Sequence, residues 1–166
     1  MLLAPLLVAS VLSAEAADLG PRLAVGLDAG TAAVASTAGD LLVPVEFEWA
    51  AWPRLSVLGR AGFAMGFGSG RDLYALFARA GLRWYPFSAD RFRGFWLELH
   101  LGGDAVLATT VPPFGGFRLA ASAGAGYAFL LAGRISLTPG VELNPIGLGF
   151  PTPGLLILRL GVAFAF

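Results

Sequence analysis

The end of the chain alternates strictly between large apolar side chains and mostly small or polar ones. From Leu156 to Phe166 one parity is large and apolar, and the other carries Arg159 among mostly small residues. A period of two keeps these sets on opposite faces of a β-strand, whereas a helix would mix them. The same alternation recurs upstream, which predicts a sheet closed into a barrel with an apolar outer surface.

The composition is too apolar for an ordinary soluble domain of 166 residues. The chain is 57% hydrophobic and 13% charged, with a mean hydropathy of +0.74. A membrane-spanning helix needs about 20 continuous apolar residues, whereas a spanning strand needs about 9–11. Residues 119–133 are short and rich in glycine and alanine, and residues 143–158 contain three prolines. Strands are therefore favoured, and a helical inner-membrane protein using residues 119–133 is the alternative.

The charges and the missing cysteine exclude several classes of function. The 11 basic residues, all of them arginine, balance 11 acidic ones, and no basic stripe exists to attract nucleic acid. The absence of cysteine excludes disulfides and thiolate metal sites and fits an exported chain. We expect no nucleic-acid partner and no cofactor.

Residues 1–17 have the pattern of a secretory signal peptide. An apolar run over residues 2–12 precedes Ala14-Glu15-Ala16, which matches the small-x-small cleavage pattern, although no Lys or Arg precedes the run. This pattern predicts a signal peptide over residues 1–17 and one barrel domain over residues 18–166. A helix at the start of the mature protein is the alternative.

Eight stretches after Arg22 alternate between apolar residues and small or charged ones. The charged residues lie at the positions between the apolar ones, on the opposite face of each predicted strand. Eight strands enclose an interior just wide enough for side chains to fill it, and buried charges are costly unless they are paired. We therefore predict a lumen plugged by arginine–carboxylate pairs. Its predicted network is Glu46, Glu48, Arg60, Arg79, Arg83, Glu98, His100, Asp104, Arg118, Glu142 and Arg159, with Asp28 on the same face.

The aromatic residues cluster beside the connections after the second and fourth strands. Indole and phenol rings collect at membrane–water interfaces, so one interface is predicted at Trp49, Trp52, Trp84 and Trp96, joined by Tyr85, Phe87, Phe92 and Phe95. The connections at the other end are rich in small residues, glycine and proline. We predict short loops there, over residues 30–40, 66–72, 109–116 and 145–154.

The ending Leu-Arg-Leu-Gly-Val-Ala-Phe-Ala-Phe and the segment Arg83-Trp84-Tyr85-Pro86-Phe87 resemble the small outer-membrane β-barrel proteins of Gram-negative bacteria, the outer membrane protein A and X class. The resemblance covers the predicted mature chain. It implies an eight-stranded, antiparallel, up-and-down transmembrane β-barrel in the bacterial outer membrane, surrounded by outer-membrane lipid. It also implies that barrel assembly machinery reads Phe166 and Phe164 during biogenesis.

His100 is the only histidine and shares a strand face with Glu98 and Asp104. A general base oriented by a carboxylate is one interpretation, since some outer-membrane lipid A deacylases use a His with a nearby Ser and Glu. That motif does not match here, because Gly102 follows His100 by two positions, although Ser122 lies on the next predicted strand. A hydrogen-bonded lumen histidine is favoured, with no catalytic residue.

Two further patterns could indicate a metal site and a nucleotide site. Glu98, His100 and Asp104 could ligate a metal by spacing, but abundant arginines favour a salt-bridge network and no metal. Residues 66–70 resemble a phosphate loop, yet they lack the lysine and the following helix of a nucleotide site.

The leading hypothesis is a monomeric, non-enzymatic outer-membrane barrel with a structural or envelope-integrity role. The alternatives are a narrow pore or transporter for small or apolar solutes, and a lipid-modifying enzyme centred on His100.

Overall fold

The structure is a computed structural model that describes residues 20–37, 40–66, 73–88, 90–109, 116–146 and 156–166. The predicted signal peptide lies outside the described residues. So do most of three predicted loops, at residues 67–72, 110–115 and 147–155. Within the described part of the chain, no helix is long and apolar enough to cross a membrane.

Eight antiparallel strands form a closed up-and-down barrel in which each strand pairs with its neighbours in sequence and the last pairs with the first. This confirms the predicted eight-stranded, antiparallel, up-and-down barrel. One helix, α1, follows the first strand. The strands are β1 (Leu23–Asp28), β2 (Asp40–Trp52), β3 (Leu55–Gly66), β4 (Leu73–Trp84), β5 (Gly94–Thr109), β6 (Gly116–Leu131), β7 (Ile135–Ile146) and β8 (Leu156–Ala165), and α1 is Ala29–Thr37.

The barrel closes where β1 meets β8. Val25 pairs with Phe164 in this antiparallel register, and the carbonyl of Phe166 accepts hydrogen bonds from the amides of Arg22 and Leu23 at 3.1 and 3.0 Å. Closure leaves no strand edge with unpaired backbone groups. We call this end, with the connections after β2, β4 and β6, the turn end, and the opposite end, with α1, the helix end.

The period-two pattern separates an apolar outside from a polar inside, as predicted. On β4 the outward series begins at Tyr74 and ends at Trp84, and every second residue between them is exposed. The inward positions of the same strand include Arg79 and Arg83, which are both buried. Of the charged strand residues whose side chains the structure describes, none is exposed.

The helix end is filled by α1, where the sequence predicts an outward loop over residues 30–40. The segment is rich in alanine, the residue with the highest helix propensity, and Asp28 caps its first turn with a hydrogen bond from the amide of Thr31. Ala35 is fully buried against inward residues of four strands, which are Leu42, Ala64, Ala75, Phe77 and Val106. The loop prediction is wrong for this connection. An alanine-rich segment with an N-cap readily forms a helix, and this helix buries apolar side chains inside the barrel end.

The turn end is closed from inside by the connection between β4 and β5. Phe92 adopts a left-handed backbone conformation with φ of 55°, and its ring is fully buried against Ala24, Ala50 and Ala165. Tyr85 is buried with Trp96. The position predicted for Trp96, Tyr85 and Phe92 on the outer interface is therefore wrong, because these rings fill the barrel end.

Candidate functional site

The middle of the lumen is occupied by ionisable side chains from seven strands. Each arrives on the inward parity of its strand, and all are buried. We call this set the charge core, and it consists of Asp28, Glu46, Glu48, Arg60, Arg79, Arg83, Glu98, His100, Asp104, Glu142 and Arg159. The structure thus brings together every residue of the predicted network, except that Arg118 is only half-buried.

Arg83 is the centre of the turn-end half of the charge core. Its Nη2 donates to Glu46 at 2.9 Å and to Glu98 at 2.7 Å, its Nε donates to Glu98 at 3.0 Å, and its Nη1 donates to Glu48. A guanidinium presents five donors in a fixed fork. Arg83 therefore spans three strands at once.

Arg159 is the corresponding centre in the half of the charge core that lies towards the helix end. Its Nε donates to Asp28 at 2.9 Å, and its two terminal nitrogens donate to Glu98 and Glu46. Arg60 completes the cluster, with Nη1 at 2.7 Å from Glu142 and Nη2 at 3.1 Å from Glu46. These contacts join strands that are far apart around the barrel wall.

Glu46 and Glu98 are the shared acceptors of the core. Each lies within ion-pair distance of Arg60, Arg83 and Arg159. Three positive partners around a carboxylate compensate the loss of its hydration, which a single buried pair rarely does. The core is therefore one network, and the energy of any pair in it depends on the others.

A smaller cluster lies towards the helix end. Arg79 Nη2 donates to Asp104 at 3.3 Å, and Arg79 Nη1 lies 3.6 Å from Glu142, which connects the two clusters. Arg118 is directly across from Asp104 in the register of β5 and β6. Counting Arg118, five arginines face six carboxyl groups inside the barrel, which agrees with the predicted arginine–carboxylate pairing.

Asp28 joins the charge core to α1. Its Oδ2 accepts from Arg159 Nε at 2.9 Å and from the Thr31 hydroxyl at 2.8 Å. Its Oδ1 accepts from the amide of Thr31 at 3.1 Å and from that of Leu160 at 3.3 Å. One carboxylate therefore caps the helix and binds the core, so the helix-end plug and the ion network are a single structure.

Trp96 forms the floor of the charge core at the turn end. Its indole is fully buried and lies against two glycines that face each other across β6 and β7, Gly126 and Gly140. A Cβ on Gly126 or Gly140 would come within 2.5 or 2.6 Å of the Trp96 Cζ2 atom. Only residues without a side chain leave room for the ring there. The parity of β5, which places Phe95 and Leu97 outward, was the sequence signal for the inward position of Trp96.

His100, Ser122 and Glu98 meet inside the barrel. His100 pairs with Ser122 across β5 and β6, and its Nε2 is 3.3 Å from Glu98 Oε1. All three are buried, and neither ring nitrogen of His100 nor the Ser122 hydroxyl makes a hydrogen bond to the described residues. The residue types of a catalytic triad are present, but they are sealed in the interior.

The space beside the charge core is small. A cavity of about 10 Å³ borders Glu46, Glu48 and Arg83, and one of about 20 Å³ borders Arg60, Arg79 and Glu142. Each has room for about one water molecule. Among the described residues, no three His, Asp or Glu side chains are grouped so that they could hold a metal ion.

The remaining predicted residues lie on the outer wall at the turn end. Trp49, Trp52, Trp84, Phe164 and Phe166 are exposed there. The inward position of Asp28 was predicted, whereas the turn-end plug formed by Tyr85, Phe92 and Trp96 was not. The chain matches no protein-family model and no curated protein sequence at a significant level.

Proposed function

We propose that the protein is a non-enzymatic, monomeric barrel of the bacterial outer membrane whose role is structural and whose lumen is permanently plugged. The observation that carries the proposal is the charge core, in which Arg60, Arg83 and Arg159 share carboxylates across the whole lumen. Among the described residues, such a network ties strands together across the barrel and fills the middle of the lumen.

The outer wall supports a membrane location. Tyr74 and Trp84 are exposed on β4, ten residues apart, which is about 33 Å along a strand and about 25 Å along the axis of a barrel with strands tilted by about 40°. The apolar band of outer-membrane barrels has about this height and is bordered by aromatic girdles. Phe117 at the helix end and Tyr127 at the turn end repeat the arrangement on β6.

Three barriers along the lumen favour a plugged barrel rather than a narrow pore or transporter. The helix α1 fills one end, the ring of Phe92 fills the other, and the charge core lies between them. Cavities the size of one water molecule do not admit a solute. A conducting state would require Asp28, Arg83 or Arg159 to give up buried ion pairs, which is costly in a dry interior.

The enclosure of His100 supports a role without catalysis. An acyl chain or a sugar headgroup does not fit beside side chains that are fully buried, and a general base must come within hydrogen-bond distance of its substrate. Expression of the protein should leave the mass spectrum of lipid A unchanged. A mass shift that disappears in the variant His100→Ala would favour the enzyme hypothesis instead.

The test of the proposal uses the purified mature protein in detergent and in planar bilayers. We expect a β-type circular dichroism spectrum, a gel position that changes on boiling, and no steady large conductance. Ion-selective channels from the unmodified protein would favour the pore, and a helical spectrum would contradict the barrel itself.

A further inference from the structure

The turn end carries arginine on every segment of its rim. The segment before β1 has Arg22, the turn after β2 has Arg54, the connection after β4 has Arg91 and Arg93, and the turn after β6 has Arg134. Four of the five are exposed, and Arg91 is buried. At the opposite rim, the described residues include no arginine beyond the strands.

Hydrogen bonds place three of these arginines beside the ends of β6 and β8. The amide of Arg22 donates to Phe166, and the carbonyl of Arg134 accepts from Ala165, so the two residues flank the end of β8. The side chain of Arg93 reaches the carbonyl of Leu130 on β6 at 3.4 Å. The rim therefore carries positive charge around the barrel mouth.

Unlike the arginines of the charge core, Arg54, Arg93 and Arg134 outnumber the acidic side chains beside them in the described part of the chain. Asp90 is the one acidic residue beside them in the described part of the chain, and its carboxylate is 3.7 Å from Arg93 with both side chains exposed. Burial and the neighbouring charge of Arg22 lower the pKa of Arg91, and its Nε and Nη1 have no hydrogen-bond partner among the described residues. The rim has an excess of donors suited to an oxygen anion.

A groove with three aromatic rings in its lining adjoins this charge. Its volume is about 300 Å³, and it is lined by Arg93 and by the rings of Phe87, Phe95 and Tyr127. Just below the rim, Trp49, Trp52 and Trp84 are exposed on the outer wall, where indole rings mark the boundary between apolar and aqueous phases. The groove therefore combines a cation with a surface on which an acyl chain could pack.

We infer that this basic rim binds the headgroup phosphates of anionic phospholipids in the leaflet at the turn end, with one lipid seated in the groove at Arg93. The inference rests on the proposed membrane location. Arginine pairs with phosphate through two parallel hydrogen bonds, and each arginine near an anionic membrane surface strengthens the attraction.

The experiment measures which lipid contacts the outer tryptophans. The mature protein is reconstituted in phosphatidylcholine vesicles that contain a minor fraction of brominated phosphatidylglycerol or of brominated phosphatidylcholine, and quenching of tryptophan fluorescence is compared. We expect preferential quenching by the anionic lipid, by about fivefold or more, and a decline of this preference with added salt.

Matched variants assign the effect to the rim. Arg93→Gln combined with Arg134→Gln should reduce the preference at least about threefold, whereas the same positions changed to Lys should retain most of it, and Asp90→Asn should increase it. Equal quenching by both lipids in the wild type, or an unchanged preference in the Gln variant, would overturn the inference. The inference is also overturned if millimolar inorganic phosphate abolishes the preference and chloride of equal ionic strength does not. The rim would then be a site for a free anion. Failure of the wild type to insert into vesicles would contradict the proposed function as well.

Discussion

The guanidinium of Arg83 lies over the indole of Trp96, 4.7 Å from the ring centroid, and both side chains are fully buried. A cation over an aromatic face is attracted by the ring quadrupole, most strongly where water is absent. The other edges of this guanidinium bind Glu46, Glu48 and Glu98. Arg83 therefore joins the polar network to the apolar turn-end plug, and its removal should affect both.

The variants Arg83→Ala and Glu98→Ala should each destabilise the barrel by about 3–5 kcal/mol, because the partner charges stay behind in a dry interior. The measurement is urea-induced unfolding in vesicles. Arg93→Ala is the control, since its pair with Asp90 is exposed and should contribute about 1 kcal/mol or less. Equal small losses in all three variants would mean that water penetrates the charge core.

The variant Gly126→Ala should destabilise the barrel by about 1–3 kcal/mol through overpacking. Its new Cβ would lie 2.5 Å from Trp96 Cζ2 and 2.2 Å from the carbonyl oxygen of Pro139. Gly59→Ala is the matched control, because a Cβ there meets nothing closer than 3.9 Å. Comparable stability of the two variants would contradict the close packing of Trp96 against Gly126. Tryptophan fluorescence reports whether the environment of Trp96 changes.

The variant Ala35→Glu should destabilise the protein by about 3 kcal/mol or displace α1, because it introduces an unpaired charge among apolar side chains at the helix end. Ser36→Glu, on the exposed side of the same helix, should be nearly neutral. Unfolding in urea and limited proteolysis distinguish the two variants. Displacement of α1 alone should not produce conductance, because the charge core still blocks the lumen. A channel in Ala35→Glu would show that α1 is the main barrier.

The variant Phe166→Asp should lower the amount of folded protein in the outer membrane while export across the inner membrane continues. The ring is exposed on the outward parity of β8, where a charge opposes lipid contact, and the resemblance of the ending implies that assembly machinery reads this aromatic residue. Heat-modifiable protein in outer-membrane fractions is the measurement, with Phe166→Tyr as the control. Unchanged levels in Phe166→Asp would make the terminal ring incidental to assembly.

The sequence by itself determined the two faces of the wall. Side chains alternate along a strand with a period of two, so the parity of Leu156 to Phe166 predicted the exterior and the position of Arg159 predicted the lumen. That alternate residues share one face of a strand is a local property that holds in any register, and the apolar set then takes the side predicted to face lipid. The inward position of the charge core was predictable for this reason, as was the need for its charges to pair.

Only the tertiary structure decided which charges meet and what covers the barrel ends. Glu46 and Arg159 are 113 residues apart along the chain, and their contact depends on barrel closure and on the stagger of all the strands, which no local pattern encodes. The inward folding of Phe92 and of α1 depends on empty volume at each mouth, which exists only once the wall has formed. The plug is therefore a property of the closed barrel, whereas the wall is a property of the sequence pattern.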